Sequence, residues 1–375
     1  MPPKTRNKNL AFFLTCGLSL KKWSETGLLK REIALYNLLA SQFQKIYFFT
    51  YGNKQELAFQ KYLASNIEII FKNSRLPDFL YSLLIPLCHR HILKSCSFFK
   101  SNQANGAWSA YLSKLTCNRR GKFIFRTGFT WSLFAKEENK ILRLFTVILE
   151  AWLYRVCDSA LVSSAADKAY LQKQYHLSST KLIVLANYVD TDLFKPQLYV
   201  PKLAKSIVYV GRLHPQKNLF NLVRALQCTN LKLDIIGQGK LKDKLEKFAR
   251  SLNVSIQFLG IIPHQNLPAI LNRYKIYVLP SLYEGLPKTL IEAMACGLAC
   301  LGTNIEGIKE VIQHNVNGYL VNPNVKSMRE GIQNLVQDDH LRNRLGNQAR
   351  QTVKKRFNLK NIAKQEIKIY ELLFK

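Results

Sequence analysis

The stretch Ile276-Tyr277-Val278-Leu279-Pro280-Ser281-Leu282-Tyr283-Glu284-Gly285-Leu286-Pro287-Lys288-Thr289-Leu290-Ile291-Glu292-Ala293-Met294-Ala295-Cys296-Gly297 does most to limit what this chain folds into. Its opening run, Ile276 to Leu279, is apolar at every position, which suits a strand covered on both faces and therefore a parallel sheet. Pro280 to Gly285 supplies a turn, Pro287 opens a helix and Gly297 closes it. Leu286, at the expected N-cap, offers no side-chain acceptor, so the first helical amides are left for an anion such as phosphate. Glu284 sits on the loop and Glu292 well inside the helix, lining different parts of one crevice.

The same alternation runs through the whole chain. In the first half strands are expected near Leu10 to Thr15, Lys45 to Thr50, Ile67 to Phe71, Ser97 to Lys100, Lys122 to Arg126, Ser159 to Ser163 and Lys181 to Leu185. The second half restarts at Ser206 to Val210 and continues through Leu231 to Ile236, Ser255 to Leu259, Ile276 to Leu279, Ala299 to Leu301 and Tyr319 to Val321, with helices between. Strands alternating with helices predict an α/β fold, and 375 residues predict two domains. The expectation is two doubly wound, Rossmann-like domains facing each other across a cleft, with a linker near Asn187 to Pro201 and ligands at the carboxyl ends of the strands.

A net charge of +31, split as +17 over residues 1–189 and +14 over the remainder, attracts polyanions. The candidates are anionic lipid headgroups, phosphorylated substrates and, without sequence preference, nucleic acid. No RNP pattern, zinc-finger spacing or zipper accompanies the charge, so no specific nucleic-acid partner is expected. The eight cysteines lie mostly in apolar segments without paired short spacings and read as buried thiols of a reducing compartment. Cys296 with Cys300, and His89 with His91, lack a complementary second pair, so no metal site is expected.

Lys4, Arg6 and Lys8 before the apolar run Leu10 to Leu20 mimic a signal peptide, but Thr15, Cys16 and Gly17 interrupt the run and no cleavage site follows. A first buried strand ending in a glycine turn explains it better. The segment Leu76 to Leu93 carries Pro77, Asp78, Pro86, His89, Arg90 and His91, too many interruptions for a lipid-exposed span. The helix Ile141 to Val156, whose start is crowded by Lys136, Lys140 and Arg143, reads as a core helix under the sheet rather than a membrane-docking face.

The two glutamates eight positions apart, set in Glu-Gly-Leu-Pro…Glu-Ala-Met-Ala-Cys-Gly, resemble the E-x7-E signature of retaining glycosyltransferases with the two-domain GT-B fold, family 4 (glycosyl transferases group 1). Other segments agree in order and spacing: Val208 to Leu213 followed by Lys217-Asn218, then Leu233 to Gly239, then Phe258-Leu259-Gly260, with Ala186 to Pro196 similar to the family's connector. The resemblance is tight over roughly residues 186–322. It implies an N-terminal acceptor-side domain over 1–187, a donor-binding domain over 188–357, and a terminal segment, 358–375, whose helix crosses back onto the first domain.

A glycosyl donor carries a diphosphate whose charge grows as its bond to the sugar breaks, so positive charge and backbone amides are needed around the leaving group. Arg212 and Lys217, with Gly211, follow a strand's carboxyl end, and the resemblance assigns the two cations to the donor phosphates. Arginine forks two oxygens where lysine is a point charge. By the same resemblance Glu292 accepts from the nucleotide ribose and Glu284 faces the transferred sugar. Transfer on the front face is expected, the departing phosphate helping to deprotonate the acceptor. Gly285, Leu286, Pro287 and Thr289 would cradle phosphate or sugar hydroxyls, and Ile261 and Ile262 would hold the base edge. Gly211 and Gly237 are further donor-binding candidates, but Gly237-x-Gly239 lacks the third glycine of a dinucleotide fingerprint, so no nicotinamide or ATP site is expected, and no cofactor beyond the nucleoside-diphosphate sugar. Asp190-Thr191-Asp192 falls in the connector.

In the first domain, Gly17, and Gly27 before the helix bearing Glu32, are candidates for a glycine loop near the donor. Many relatives carry a histidine after the fifth strand where this chain has Thr127, in Phe125-Arg126-Thr127-Gly128-Phe129-Thr130-Trp131. Arg126 and Thr127, with Asn105 in the polar, aromatic segment Asn102 to Trp108, are candidate sugar or acceptor contacts. The expected activity is hexosyl transfer to a glycan or lipid-linked acceptor by a cytoplasmic protein, peripheral at the inner membrane face. A non-catalytic nucleotide-sugar-binding subunit, a polyanion-binding protein and a nucleotide-sugar epimerase of the same architecture remain as alternatives.

Overall fold

The computed structural model describes residues 6–128 and 140–374, with side chains from Leu144 onward in the second stretch. The chain divides into two compact units, one of Met1–Ala186 with Ile362–Lys375 and one of Asn187–Asn361. In the first, seven parallel strands stand in the order β3-β2-β1-β4-β5-β6-β7, with β1 Asn9–Phe13, β2 Lys45–Phe49, β3 Ile67–Ile70, β4 Cys96–Ser101, β5 Lys122–Arg126, β6 Ser159–Val162 and β7 Leu182–Val184. In the second, six parallel strands stand in the order β10-β9-β8-β11-β12-β13, with β8 Ser206–Val210, β9 Lys232–Ile236, β10 Ile256–Gly260, β11 Ile276–Leu279, β12 Ala299–Thr303 and β13 Tyr319–Val321. Every strand expected from the apolar runs is present, and both sheets reverse their order once: between β1 and β4, and between β8 and β11.

Why the central strands read as unbroken apolar runs is visible at β1, where all five residues are buried. Successive side chains point to opposite faces. Phe12 packs on Tyr36 of the helix Leu29–Leu39 and on Phe48, with centroids 4.1 and 5.0 Å apart. Phe13 stacks on Phe49 at 4.8 Å and shares the opposite core with Tyr81, Ala107, Ala110, Leu153 and Tyr154. That second face is covered by the helices Asp78–Cys88, Ala107–Cys117 and Lys140–Val156.

The Lys140–Val156 helix corrects the expectation of a wholly core helix. Thr146, Glu150, Leu153 and Tyr154 are buried, but Leu144, Phe145, Ile148 and Trp152 are exposed. Apolar residues around most of a helix do not reveal which of them the sheet takes up. Lys136, and the side chains of Lys140 and Arg143, lie outside the described residues. The thiols differ from expectation too: Cys96, Cys157, Cys296 and Cys300 are buried, whereas Cys88 and Cys228 are exposed. Among the described residues no helix is long and apolar enough to cross a membrane.

The terminal helix, Leu359–Leu373, belongs from Ile362 onward to the first unit. Its Tyr370 meets Phe43 and Phe98 edge to face at 5.0 and 5.1 Å. Its Glu366 forms an ion pair with Lys100 of β4 in which both side chains are fully buried, and Tyr370 Oη donates to the same carboxylate at 2.9 Å. Burial pulls the Lys100 pKa down to about 8, against the opposing pull of Glu366. Removing one member of such a pair leaves an uncompensated buried charge, whereas replacing both with apolar groups is often neutral. Glu366→Ala should therefore cost ~3–5 kcal/mol of stability, and Lys100→Met with Glu366→Leu should regain most of it, read from denaturant midpoints.

His89, whose Nε2 lies 3.0 Å from Tyr81 Oη, has its pKa lowered to about 4 by burial, with His91 adding to the effect. Folded, it binds fewer protons than unfolded between that value and the ordinary 6.5. Its contribution to stability is full above the unfolded value and lost as pH falls through that window. His89→Gln should flatten this part of the stability-versus-pH curve.

Candidate functional site

The helix that follows β8 leads to β9 and the helix that follows β11 leads to β12, on opposite sides of the point where the strand order reverses. In sheets of this kind ligands bind at such a reversal, at the carboxyl ends of the strands. Two sequence-predicted residues meet across it: Lys217 Nζ pairs with Glu284 Oε1. The same oxygen accepts from Ser281 Oγ at 2.6 Å. Neither side chain is sealed, at 13% and 9% exposure. The loops are also stitched by their neighbours, Gln216 Nε2 donating to the Tyr283 carbonyl at 2.7 Å and the Leu282 amide to the Gln216 carbonyl at 2.8 Å. The pair is held by its surroundings before any ligand arrives.

Arg212 lies on the same loop as Lys217 with its side chain exposed. Its carbonyl accepts from Tyr209 Oη at 2.9 Å. Burial, with the nearby Glu284 charge adding, pushes the Tyr209 hydroxyl far above its ordinary pKa, so it remains a donor and holds the loop. Gly211 and Gly237 are placed by close backbone approach. Gly237 has φ +131°, and a Cβ there would fall 2.1 Å from the Gly211 carbonyl oxygen. At Gly239 a Cβ would fall 2.3 Å from the Leu213 oxygen. The amides of Gly211, Leu213 and Gly237 reach the carbonyls of Ile236, Gln238 and Gly260 at 2.9, 3.0 and 2.8 Å, drawing the ends of β8, β9 and β10 together. Side chains at these two glycines would collide with backbone, a packing reason for a motif that alone names no ligand.

The helix after the second loop is Lys288–Ala295, and its N-cap is Pro287 rather than the expected Leu286. The shift leaves the argument unchanged, since neither residue carries an acceptor and no side chain caps this helix. Leu286 is buried, and its carbonyl accepts from Asn187 Nδ2 at 2.6 Å. Gly285 touches the helix Glu306–Lys309: a Cβ on Gly307 would lie 1.8 Å from the Gly285 carbonyl oxygen. Thr289 Oγ1 shares a hydrogen bond with Tyr277 Oη at 2.9 Å beneath the loop.

Glu292 is 1% exposed, and its Oε1 lies 3.0 Å from His264 Nε2. Sequence reasoning passed over His264, although it stands two residues after Ile262. Ile261 is exposed and Ile262 half-buried as the chain leaves β10. His264 also packs on Phe194 at 4.8 Å. Ser281, Gln216 and Gly307 were missed as well, because their importance is contact between loops and no local pattern marks it.

In the first unit, Gly17 follows β1 with φ +76° and the Cys16 amide donates to the Asn105 carbonyl at 3.2 Å. These candidates stand together at the reversal between β1 and β4. Gly27, with φ +71°, lies just past the Leu20–Glu25 helix, and Glu32 is paired with Arg31 at 3.0 Å. Arg126 is the last residue of β5, and its amide donates to Ser101 Oγ at 3.3 Å. Thr127 needs correction as a sugar contact: it is 3% exposed, and its hydroxyl is shared with the buried Tyr154 at 3.2 Å. The pleat turns it into the core. Trp108 donates its indole N–H to Ser82 at 2.8 Å. Phe129 to Trp131 lie outside the described residues.

Residues 190–352 match the family model described as Glycosyl transferases group 1. An uncharacterized glycosyltransferase of Methanocaldococcus jannaschii is 33% identical over 48% of this chain and 48% of its own length. The Escherichia coli UDP-Gal:alpha-D-GlcNAc-diphosphoundecaprenol alpha-1,3-galactosyltransferase is 28% identical over 60% of this chain and 63% of its own. The chain thus spans about half to two thirds of these relatives. The structure of sucrose-phosphate synthase from Thermosynechococcus elongatus superposes with a TM-score of 0.80, covering 98% of this chain and 99% of that one at 18% identity. That likeness establishes the fold, GT-B.

The glycine geometry separates two substitutions that look alike in sequence. Gly237→Ala, at φ +131°, meets backbone as well as a strained dihedral, so an overpacking cost of ~1–3 kcal/mol adds to the backbone cost in a urea titration. Gly260→Ala, at φ +68° with nothing within 4 Å, should cost only the ~1–2 kcal/mol of a left-handed backbone and leave nucleotide binding intact.

Proposed function

We propose that this chain, whose residues 190–352 match the family model of the glycosyl transferases group 1, is a retaining glycosyltransferase that moves a hexose from a nucleoside-diphosphate sugar to a lipid-linked or glycan acceptor. The observation that carries the reading is the Lys217–Glu284 pair across the β8/β11 reversal, with exposed Arg212 beside it. A diphosphate entering this site would find a forked and a point cation on one loop and the uncapped helix Lys288–Ala295 on the other.

In this reading Glu284, already gripped by Lys217 and Ser281, faces the sugar, and Glu292 accepts from the ribose with His264 as its positioning residue. Ile261 and Ile262 hold the base edge by their backbone. The bond from the anomeric carbon to the phosphate oxygen breaks, and its electron pair stays on the phosphate. The acceptor hydroxyl bonds to the same face of the sugar, and its proton passes to the departing phosphate. Arg212 and Lys217 offset the charge that accumulates there. The reading calls for no resident cofactor. Similarity to the Escherichia coli galactosyltransferase, named for a UDP donor and a diphosphoundecaprenol acceptor, supports a lipid-linked acceptor and a peripheral place at the cytoplasmic membrane face.

Hydrolysis of UDP-, GDP- and ADP-sugars without acceptor, followed by nucleoside-diphosphate release, tests the site. One donor should turn over slowly, and Arg212→Ala and Glu284→Ala should each reduce the rate by roughly 10²-fold or more. A product of inverted anomeric configuration would overturn the retaining assignment. Absence of both binding and turnover across the panel would overturn the enzyme.

A further inference from the structure

The outer surface of three neighbouring helices in the first unit is apolar where a helix layer is ordinarily polar. On Asp78–Cys88, Phe79, Leu83 and Leu87 recur every four residues with Leu80 beside them, and all four are exposed, Leu87 at 65%. On Lys140–Val156 the spacing repeats as Leu144, Ile148 and Trp152 with Phe145 beside them, the first three of the four at 61%, 59% and 37%. A spacing of four follows one side of a helix, and here that side faces away from the sheet, because Tyr81, Ile85, Leu153 and Tyr154 occupy the inward side. The helix Ala107–Cys117 lies between them and joins the two stripes. Phe79 meets Trp108 at 5.9 Å, Tyr111 meets Trp152 at 5.0 Å, and Leu115 is exposed. The result is one continuous apolar surface, larger than isolated exposed side chains produce.

The charge around it is of one sign. Each of these helices links parallel strands, so all three run in the same direction and their C-terminal ends lie at one edge of the layer. Arg90 and Lys94 follow the first helix, Arg119 and Arg120 the second, and Arg155 lies in the last turn of the third, all exposed. The described acidic residues of the same helices are engaged elsewhere, Asp78 with Lys72 at 2.7 Å and buried Glu150 with Tyr175 at 3.0 Å. Apolar side chains edged by arginines, with no free carboxylate among the described residues, complement a leaflet whose acyl chains lie beneath anionic phosphates.

We propose that this three-helix face is the surface by which the protein docks on an anionic lipid bilayer, with Phe79, Leu83, Phe145 and Ile148 entering the acyl boundary and Arg119, Arg120 and Arg155 meeting lipid phosphates. The proposal deepens the lipid-linked acceptor reading, and it is read without donor turnover, so either stands or falls separately.

The test is co-sedimentation of the full chain with vesicles of phosphatidylglycerol and phosphatidylethanolamine, against vesicles of phosphatidylcholine alone. The expected result is binding to the anionic vesicles that weakens with salt and falls at least about tenfold in Phe145→Gln/Ile148→Gln and in Arg119→Glu/Arg120→Glu. Donor hydrolysis without vesicles should be unchanged in both variants. Binding that ignores Phe145→Gln/Ile148→Gln would mean that the net charge alone attracts the membrane, and would overturn the proposal. So would absence of binding, or a dimer in solution that the apolar variant dissociates, which would assign the face to a second copy of this chain.

Discussion

A lysine and a glutamate drawn together across the point where a sheet changes direction hold the candidate site of this protein in place. Taking two charges largely out of water costs several kcal/mol each, and their attraction offsets that only if the geometry is kept. The C-terminal unit keeps it for Lys217 and Glu284 with Ser281 on the carboxylate and with hydrogen bonds from Gln216 and Leu282 between the loops. Those bonds are possible because β8 and β11 are neighbours while their crossovers depart to opposite sides. The glycines at 237 and 239 serve the same end, since backbone lies where their side chains would be, and at Gly211 the Tyr209 side chain does.

The first unit contains a second lysine–glutamate pair with the opposite fate. Lys100 and Glu366 are fully enclosed, in contact with the rings of Tyr36 and Tyr370, and no ligand reaches them. Their pair joins β4 to the terminal helix. Lys217 and Glu284 keep about a tenth of their surface exposed, beside an arginine that faces solvent. The same two residue types thus fasten an element in one sheet and offer a charged site in the other, and the difference is access to water.

Much of this was legible beforehand. Central strands such as β1 and β11 are buried on both faces and apolar throughout, so they left runs in the sequence that length and flanking turns mark as strands. Glu284 and Glu292, in the loop and helix after Leu279, and Arg212 and Lys217, after β8, were marked by their place in the strand–loop–helix pattern and by the resemblance it carries. What misled were positions where one residue of register decides the outcome. Thr127 follows β5 at a position whose pleat faces Tyr154, and the helix cap fell at Pro287 instead of Leu286. The helix through Tyr154 has apolar residues on most sides, and nothing local distinguishes Leu153, which the sheet buries, from Ile148, which it leaves in solvent.

The sequence by itself determined the elements, their parallel pairing and the identity of the cations and carboxylates, because periodicity, turn residues and charge are properties of neighbours along the chain. Only the tertiary structure decided which lysine meets which glutamate, that His264 stands against Glu292, and that three apolar helix faces join into one surface. Those are relations between segments tens to hundreds of residues apart. They depend on strand order and on the direction each side chain takes from its backbone, which no local pattern encodes.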